Sequence, residues 1–116
     1  MNSPFEELAG LDRLVHDPSR LSILTALAAC EGADFVFLRR LTGLTDGNLS
    51  AHLSKLERAR LVTIEKDFVG KTPRTLLRIT EEGRRTIDEH WARLEGLKAQ
   101  AERWRDEKPE PAKPEG

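Results

Sequence analysis

Residues 46–59 contain several polar side chains of the types that can hydrogen-bond to the base edges of DNA. Leu49, Leu53 and Leu56 are spaced to share one face of a helix. The opposite face is small, polar and basic, with Gly47, Ala51, Ser54, Lys55 and Arg58. Small residues let a helix enter a major groove of about 12 Å, where Asn48, Ser50 and Lys55 offer hydrogen bonds. The alternative is an ordinary amphipathic helix whose outer face is only solvated.

A preceding helix and a tight turn are expected to position this recognition helix. Residues 38–42 form the first helix, and Gly43 with Leu44 supplies the turn. The Thr45 hydroxyl is suited to accept the backbone N–H of Asn48 as an N-cap. This arrangement predicts a helix-turn-helix.

Two alternating segments after the recognition helix predict a β-hairpin. Residues 61–69 place Val62, Ile64 and Phe68 on one side, and residues 74–80 place Leu77 and Ile79 inward. Residues 70–73 have turn chemistry. A hairpin directly after a helix-turn-helix is the winged-helix arrangement, in which residues 69–74 form the wing. Lys71 and Arg74 flank its tip, as contacts to DNA phosphates would.

Charge is distributed unevenly along the 116 residues, although the formal net charge is only −1. Residues 35–80 hold nine basic and four acidic residues, whereas residues 1–34 and 81–116 are both net acidic. The basic excess therefore coincides with the predicted helix-turn-helix and wing, as phosphate binding requires.

The N-terminal third is expected to pack on this unit. Apolar spacing predicts a helix over residues 5–16, and Asp17 with Pro18 is a typical start for a second helix that Gly32 ends. The lone Cys30 is assigned to core packing, with a thiol sensor as the alternative. Phe35 and Val36 are expected to form a very short strand.

A long C-terminal helix is predicted from Thr80, its N-cap, to about residue 107. Two sets of residues seven apart extend along it: Ile87, Leu94 and Ala101, and His90, Leu97 and Trp104. This stripe predicts a homodimer held by the C-terminal helix; the alternative is that the helix folds back over its own domain. One domain is thus expected over residues 1–107, followed by a flexible proline-rich tail over residues 108–116.

Catalytic and metal-binding chemistry is not expected. Gly70, Lys71 and Thr72 resemble the end of a phosphate-binding loop, but Glu65 stands where a glycine is required. The three histidines are far apart in sequence and there is one cysteine, so no metal site is predicted. We expect no enzyme and no cofactor. The N-terminus lacks signal-peptide features and no apolar run is long enough to cross a bilayer, so a cytoplasmic protein without a membrane partner is expected.

These residues carry a family resemblance. Residues 49–62, residues 70–74 and residues 79–83 resemble bacterial winged-helix transcriptional regulators of the ArsR and MarR type. The resemblance implies a mainly α fold with a small β-hairpin, binding to double-stranded DNA, and a two-fold dimer formed by the terminal helices. It places one group of residues at the groove and another in the wing: Thr45, Asn48, Ser50, Ala51, His52 and Lys55, and Lys71, Thr72 and Arg74. Metal-sensing ArsR-type proteins often have a cysteine pair on the helix of the reader side, and this chain has none there.

Two function classes remain open at the level of sequence. The first is a homodimeric, sequence-specific regulator on a palindromic operator. The second is a winged helix used as a protein-interaction module without DNA binding, in which Lys55 and Lys71 are solvated charges. Salt dependence of binding distinguishes them. The operator, the effector and the sign of regulation are not given by the sequence.

Overall fold

The computed structural model describes residues 3–107, in five helices and three strands within that range. The elements are α1 (Pro4–Ala9), α2 (Pro18–Ala28), β1 (Ala33–Asp34), α3 (Phe35–Thr42), α4 (Asp46–Arg58), β2 (Val62–Val69), β3 (Thr72–Ile79) and α5 (Glu81–Glu107). They divide into two compact units: residues 12–90, and the residues up to Leu11 together with those from Trp91. The predicted tail, residues 108–116, lies outside the described residues.

Aliphatic side chains from every helix of the first unit, and from its sheet, form its core. The three leucines of α4 are buried as predicted, which turns the opposite face of that helix outward. The fully buried side chains of this core are Val15, Ile23, Leu24, Leu27, Leu38, Leu49, Leu53, Leu56, Val62, Leu77 and Ile87.

The ends of α4 follow from local sequence. The Thr45 hydroxyl accepts the Asn48 backbone N–H at 3.2 Å, which confirms the predicted N-cap. At the other end Arg60 adopts a left-handed conformation, with φ of 64°, and the Leu61 N–H donates to the Leu56 carbonyl oxygen. This pattern satisfies carbonyl groups that a helix end leaves unpaired.

The strands form an antiparallel sheet of order β1-β3-β2, so the predicted hairpin is confirmed. Val69 pairs with Thr72, which leaves a loop of only Gly70 and Lys71. Gly70 has φ of 63°, as the first loop residue of a type II′ turn requires. The hairpin tip is therefore shorter than predicted, because Thr72 and Pro73 are strand residues. Phe68, expected to face inward, is 70% exposed because β2 extends past the core.

Three expectations for the N-terminal third were wrong. Helix α1 ends at Ala9 instead of continuing over residues 5–16, because the chain turns at Gly10. The short strand is β1, which pairs with Leu76 and Leu77 of β3, and the two residues predicted as strand begin α3. The cause is Asp34, whose carboxylate accepts the Phe37 backbone N–H and caps that helix. Cys30 is half-buried beyond the end of α2 rather than in the core.

A close approach fixes the beginning of α5. The Thr80 N–H donates to the Leu61 carbonyl oxygen at 3.0 Å, and the Thr80 hydroxyl donates to the Arg60 carbonyl oxygen and accepts the Gly83 N–H. Gly83 lies so near Leu61 that a Cβ at Gly83 would contact the Leu61 carbonyl oxygen at 2.2 Å. Only glycine fits this position without a backbone shift.

The second unit contains α1 and the later part of α5. Phe5 and Trp104 pack edge to face with ring centroids 5.9 Å apart, and Leu97 is buried. Members of the heptad stripe therefore differ in role. Ile87 belongs to the core of the first unit and Leu97 is covered by its own chain, whereas Trp104 is 41% exposed, and Trp91, next to His90 of the stripe, is 42% exposed.

Replacing Gly83 with alanine should destabilise the protein. The new Cβ must displace backbone at Leu61, and overpacking of this kind costs about 1–3 kcal/mol. The matched control is Gly96→Ala in the same helix, where a Cβ meets nothing within 4 Å. That variant should gain about 0.5–1 kcal/mol from helix propensity. Urea unfolding measures both, and equal stabilities for the two variants would contradict the close approach.

Asp17 should contribute pH-dependent stability to the start of α2. The Arg20 backbone N–H, which donates to Asp17 at 3.0 Å, holds the pKa of that carboxyl below its usual value. Asp17→Ala should cost about 0.5–2 kcal/mol at pH 7, as the loss of an N-cap does. A carboxyl with a lowered folded pKa stabilises above its unfolded pKa, about 3.9, and loses this contribution as pH falls through the folded pKa.

The difference in unfolding free energy between parent and Asp17→Ala should therefore shrink below about pH 4. Asp17→Asn keeps a capping oxygen without a titrating group, so it should lie near the parent at pH 7 and lack its acid dependence. A parent-to-alanine difference that grows in acid would show that the carboxylate does not act as this cap.

Candidate nucleic-acid interface

The outward face of α4 presents the predicted groove residues together. Asn48, Ser50, Ala51, Lys55 and Arg58 are all exposed. Thr45 is exposed as well, but its hydroxyl oxygen is used as the helix cap. The exposed surface of α4 thus presents amide, hydroxyl, methyl and cationic groups with no aromatic or branched aliphatic side chain among them, a composition suited to a major groove.

His52 lies apart from this face. Its ring is half-buried, and its Nδ1 is 3.1 Å from an Nη1 nitrogen of Arg20 in α2. This side chain therefore belongs to the flank of α4 that faces α2.

The helix-turn-helix is also joined by an ion pair across its turn. Arg39 Nε in α3 lies 3.0 Å from Asp46 Oδ1, the first residue of α4. The pair is exposed, so it adds little stability, but it offsets the charge of Arg39 beside the recognition helix.

The wing residues differ in how they are engaged. Lys71 is exposed at the tip, and Thr72 is exposed at the start of β3. Arg74 donates from Nε and Nη2 to the two carboxylate oxygens of Asp67, its cross-strand partner, at 2.9 and 2.7 Å. The Arg74 hydrogen bond lowers the pKa of the Asp67 carboxyl, and the same contact raises the pKa of Arg74. Lys71 is thus the cation of the wing tip, while the charge of Arg74 is offset within the hairpin.

Lys66 is a candidate contact that the sequence reasoning missed. With Ser50 and Ser54 of α4 and Thr75 of β3, it lines an open groove of about 330 Å³ between the recognition helix and the sheet. The alternation of β2 places Lys66 on the same side as Val62 and Ile64, the side that faces α4. That alternation was the available signal for this residue.

The described chain contains neither a metal-ligand cluster nor a helix that could span a membrane. Across residues 3–107, no three His, Cys, Asp or Glu side chains are grouped to hold a metal ion. No helix in that range is long and apolar enough to cross a bilayer.

Comparison with known proteins identifies the architecture. Residues 19–97 match the family model described as a winged helix DNA-binding domain. An uncharacterized protein of Methanocaldococcus jannaschii is 38% identical over 65 residues, which are 56% of this chain and 71% of that protein.

Solved structures give the same result. A transcriptional regulator homologue from Pyrococcus horikoshii superposes with a TM-score of 0.73 at 29% identity, covering 81% of this chain and 92% of that one. The PcaV transcriptional regulator of Streptomyces coelicolor, solved with its natural ligand, has a TM-score of 0.66 at 26% identity. The match covers 78% of this chain and 63% of that one. A MarR-family regulator from Silicibacter pomeroyi shares the fold, with a TM-score of 0.60 at 23% identity. The match covers 87% of this chain and 63% of that one.

Proposed function

We propose that this chain, which belongs to the winged helix DNA-binding domain family, acts as a homodimer that binds a palindromic operator in a sequence-specific manner. It is a transcriptional regulator of the MarR type, and its family and fold are not those of an enzyme. The homodimer, the operator symmetry and the contact residues are the proposed part.

The exposed face of α4 is the observation that carries the proposal. Three buried leucines hold one side of this helix against the core, so Asn48 and Ser50 project away from it. Lys71 lies at the tip of the wing in the same unit. Polar groups on an exposed helix read base edges, and cations on a wing bind phosphates.

Exposed aromatic surface on α5 supports a homodimer. Trp91 and Trp104 expose about two fifths of their surface in the single chain, on a helix of 27 residues that is about 40 Å long. Leaving two tryptophans in water is costly, and a second copy of the same helix would cover them. Two α4 helices related by a two-fold axis would enter major grooves about 34 Å apart, hence the palindromic operator.

The proposed location follows from the proposed activity. A regulator of this type acts where the chromosome lies, so we assign it to the cytoplasm.

Truncation after Glu95 should convert the dimer to a monomer, because it removes Leu97, Ala101 and Trp104 from the heptad stripe. Trp91→Lys is the milder variant, since it places a charge in the proposed contact while leaving the buried Leu97 intact. Light scattering at tens of micromolar measures the mass, and a dimer with sub-micromolar affinity is fully associated there.

Phe68→Lys is the matched control, because it places the same charge on an exposed aromatic position of β2. It should remain dimeric. If the parent scatters as a monomer, there is no interface along α5. If Trp91→Lys is as dimeric as Phe68→Lys, the interface does not include Trp91.

Substitutions in the recognition helix should alter specificity. Asn48→Ala or Ser50→Ala should reduce the preference for the selected operator over mixed-sequence DNA by about 1–3 kcal/mol where a bidentate base contact is lost. The slope of log K against log salt should hardly change, because no charge is removed. The operator is first obtained by sequencing genomic fragments that the purified protein retains.

The same titrations should give a different result for the wing. Lys71→Ala should weaken operator and mixed-sequence DNA equally and flatten the salt slope by about one unit. Asp67→Asn should strengthen binding to both DNAs and steepen the slope, because Arg74 is then released toward the phosphates. Folded variants that all bind like the parent, or a parent that retains no duplex DNA, would favour the protein-interaction module instead.

A further inference from the structure

We propose that Arg20 is a positioning residue for DNA binding, which holds the His52 ring in one tautomer and so presents its Nε2–H to a phosphate oxygen of the DNA backbone. This inference rests on the proposed function. It adds a contact on the flank of α4 that faces α2, one helical turn after Asn48.

The Arg20 guanidinium is held by several acceptors. Its Nε donates to the Leu14 carbonyl oxygen at 2.6 Å and its Nη2 to the Arg13 carbonyl oxygen at 3.1 Å. The Asp17 carboxylate lies 3.7 Å from Nη2, and only 11% of the Arg20 side chain is exposed. The planar group is therefore fixed in orientation, and its Nη1 points in one direction.

The contact between Arg20 and His52 then determines which ring nitrogen of His52 carries the proton. Arg20 Nη1 is 3.1 Å from His52 Nδ1. A guanidinium carries donors only and is not deprotonated in proteins, so Nδ1 must be the acceptor. An accepting Nδ1 carries no proton, and the neutral ring then bears its proton on Nε2.

The Nε2–H donor is left available. Every buried side-chain nitrogen or oxygen in the described part of the chain has a hydrogen-bond partner. The contact with Arg20 at Nδ1 is the ring hydrogen bond found for His52 among residues 3–107. Since Nε2 has no such partner within residues 3–107 and no buried atom there lacks one, Nε2 is not buried, so it reaches solvent and can donate to a ligand.

The position of His52 on the helix favours a phosphate over a base. His52 directly precedes the buried Leu53, so at 100° per residue its side chain lies on the flank of α4, whereas Ala51 and Arg58 lie opposite the leucines. The flank of a recognition helix lies beside the backbone of the groove, and the phosphates and sugars of that backbone receive about half to two thirds of protein–DNA hydrogen bonds. A phosphate oxygen accepts only, which is what an Nε2–H donor requires.

The tautomer can be observed without DNA. In two-bond ¹H–¹⁵N spectra of the full-length protein at pH 8, Nδ1 of His52 should resonate as an unprotonated nitrogen and Nε2 as a protonated one. Arg20→Lys should shift both signals toward a mixture. Arg84→Lys is the matched control, because Arg84 also donates to backbone carbonyls, those of Ala28 and Cys30, without a contact to α4. A protonated Nδ1 in the parent overturns the inference.

DNA binding by two variants shows which ring nitrogen of His52 makes the contact. A Gln side chain carries its amide group near the position of Nε2, whereas an Asn side chain carries it near Nδ1. With a mixed-sequence duplex, which contains the phosphate contact whatever the operator, His52→Gln should bind within about twofold of the parent and His52→Asn about three- to tenfold more weakly, as for one net hydrogen bond. The salt slope should stay unchanged, because the contact is uncharged.

The double variant tests whether Arg20 acts through His52. Arg20→Lys should weaken binding about as much as His52→Asn, and the two together no more than either alone. If the two losses are additive, Arg20 contacts DNA itself. If His52→Asn binds DNA like the parent, the His52 ring does not contact DNA. Either result overturns the inference while the proposed function stands. If the parent binds no duplex DNA, both this inference and the proposed function are wrong.

Discussion

The wing and the recognition helix depend on one close contact, the packing of Gly83 against the carbonyl group of Leu61. The hairpin leaves α4 at Leu61 and returns to the same point at Thr80, where the Thr80 N–H donates to the Leu61 carbonyl oxygen. The Thr80 hydroxyl adds a hydrogen bond to Arg60 at 2.7 Å. Both ends of the hairpin are therefore tied to the C-terminal end of α4, so the wing cannot move far without breaking the start of α5.

The N-terminal half of α4 is held by polar contacts instead. Arg39 pairs with Asp46 across the turn, and Arg20 reaches His52 from α2. Between these contacts the buried leucines supply most of the free energy, since burying each one contributes about 1.5–3 kcal/mol. A helix fixed at both ends and along one face has little freedom to rotate, and this pre-organises its exposed face for binding.

The sequence predicted those features that depend only on residues close together in the chain. The caps at Thr45 and Thr80 and the leucine face of α4 each depend on residues within one or two helical turns, and all three are confirmed. Strand β1 could not be located in the same way, because its position is decided by pairing with β3, more than forty residues later in the chain. Phe68 was assigned inward because alternation continues along β2, although nothing in the described chain covers that part of the strand.

The candidate site was predictable to the same extent. The exposed residues of α4 follow from helical periodicity alone. The Arg20 contact to His52 joins residues 32 apart, and the Asp67 pair with Arg74 depends on the exact register of a two-residue loop, so neither had a sequence signal. Two ion pairs, Arg39 with Asp46 and Arg74 with Asp67, also reduce the cationic surface. In the proposed complex with DNA, non-specific affinity scales with the number of phosphates neutralised, so offsetting Arg39 with Asp46 and Arg74 with Asp67 should lower that term and leave a larger share of the binding to the proposed base contacts of α4. On this proposal, the modest basic excess of residues 35–80 favours selectivity over tight binding to any duplex.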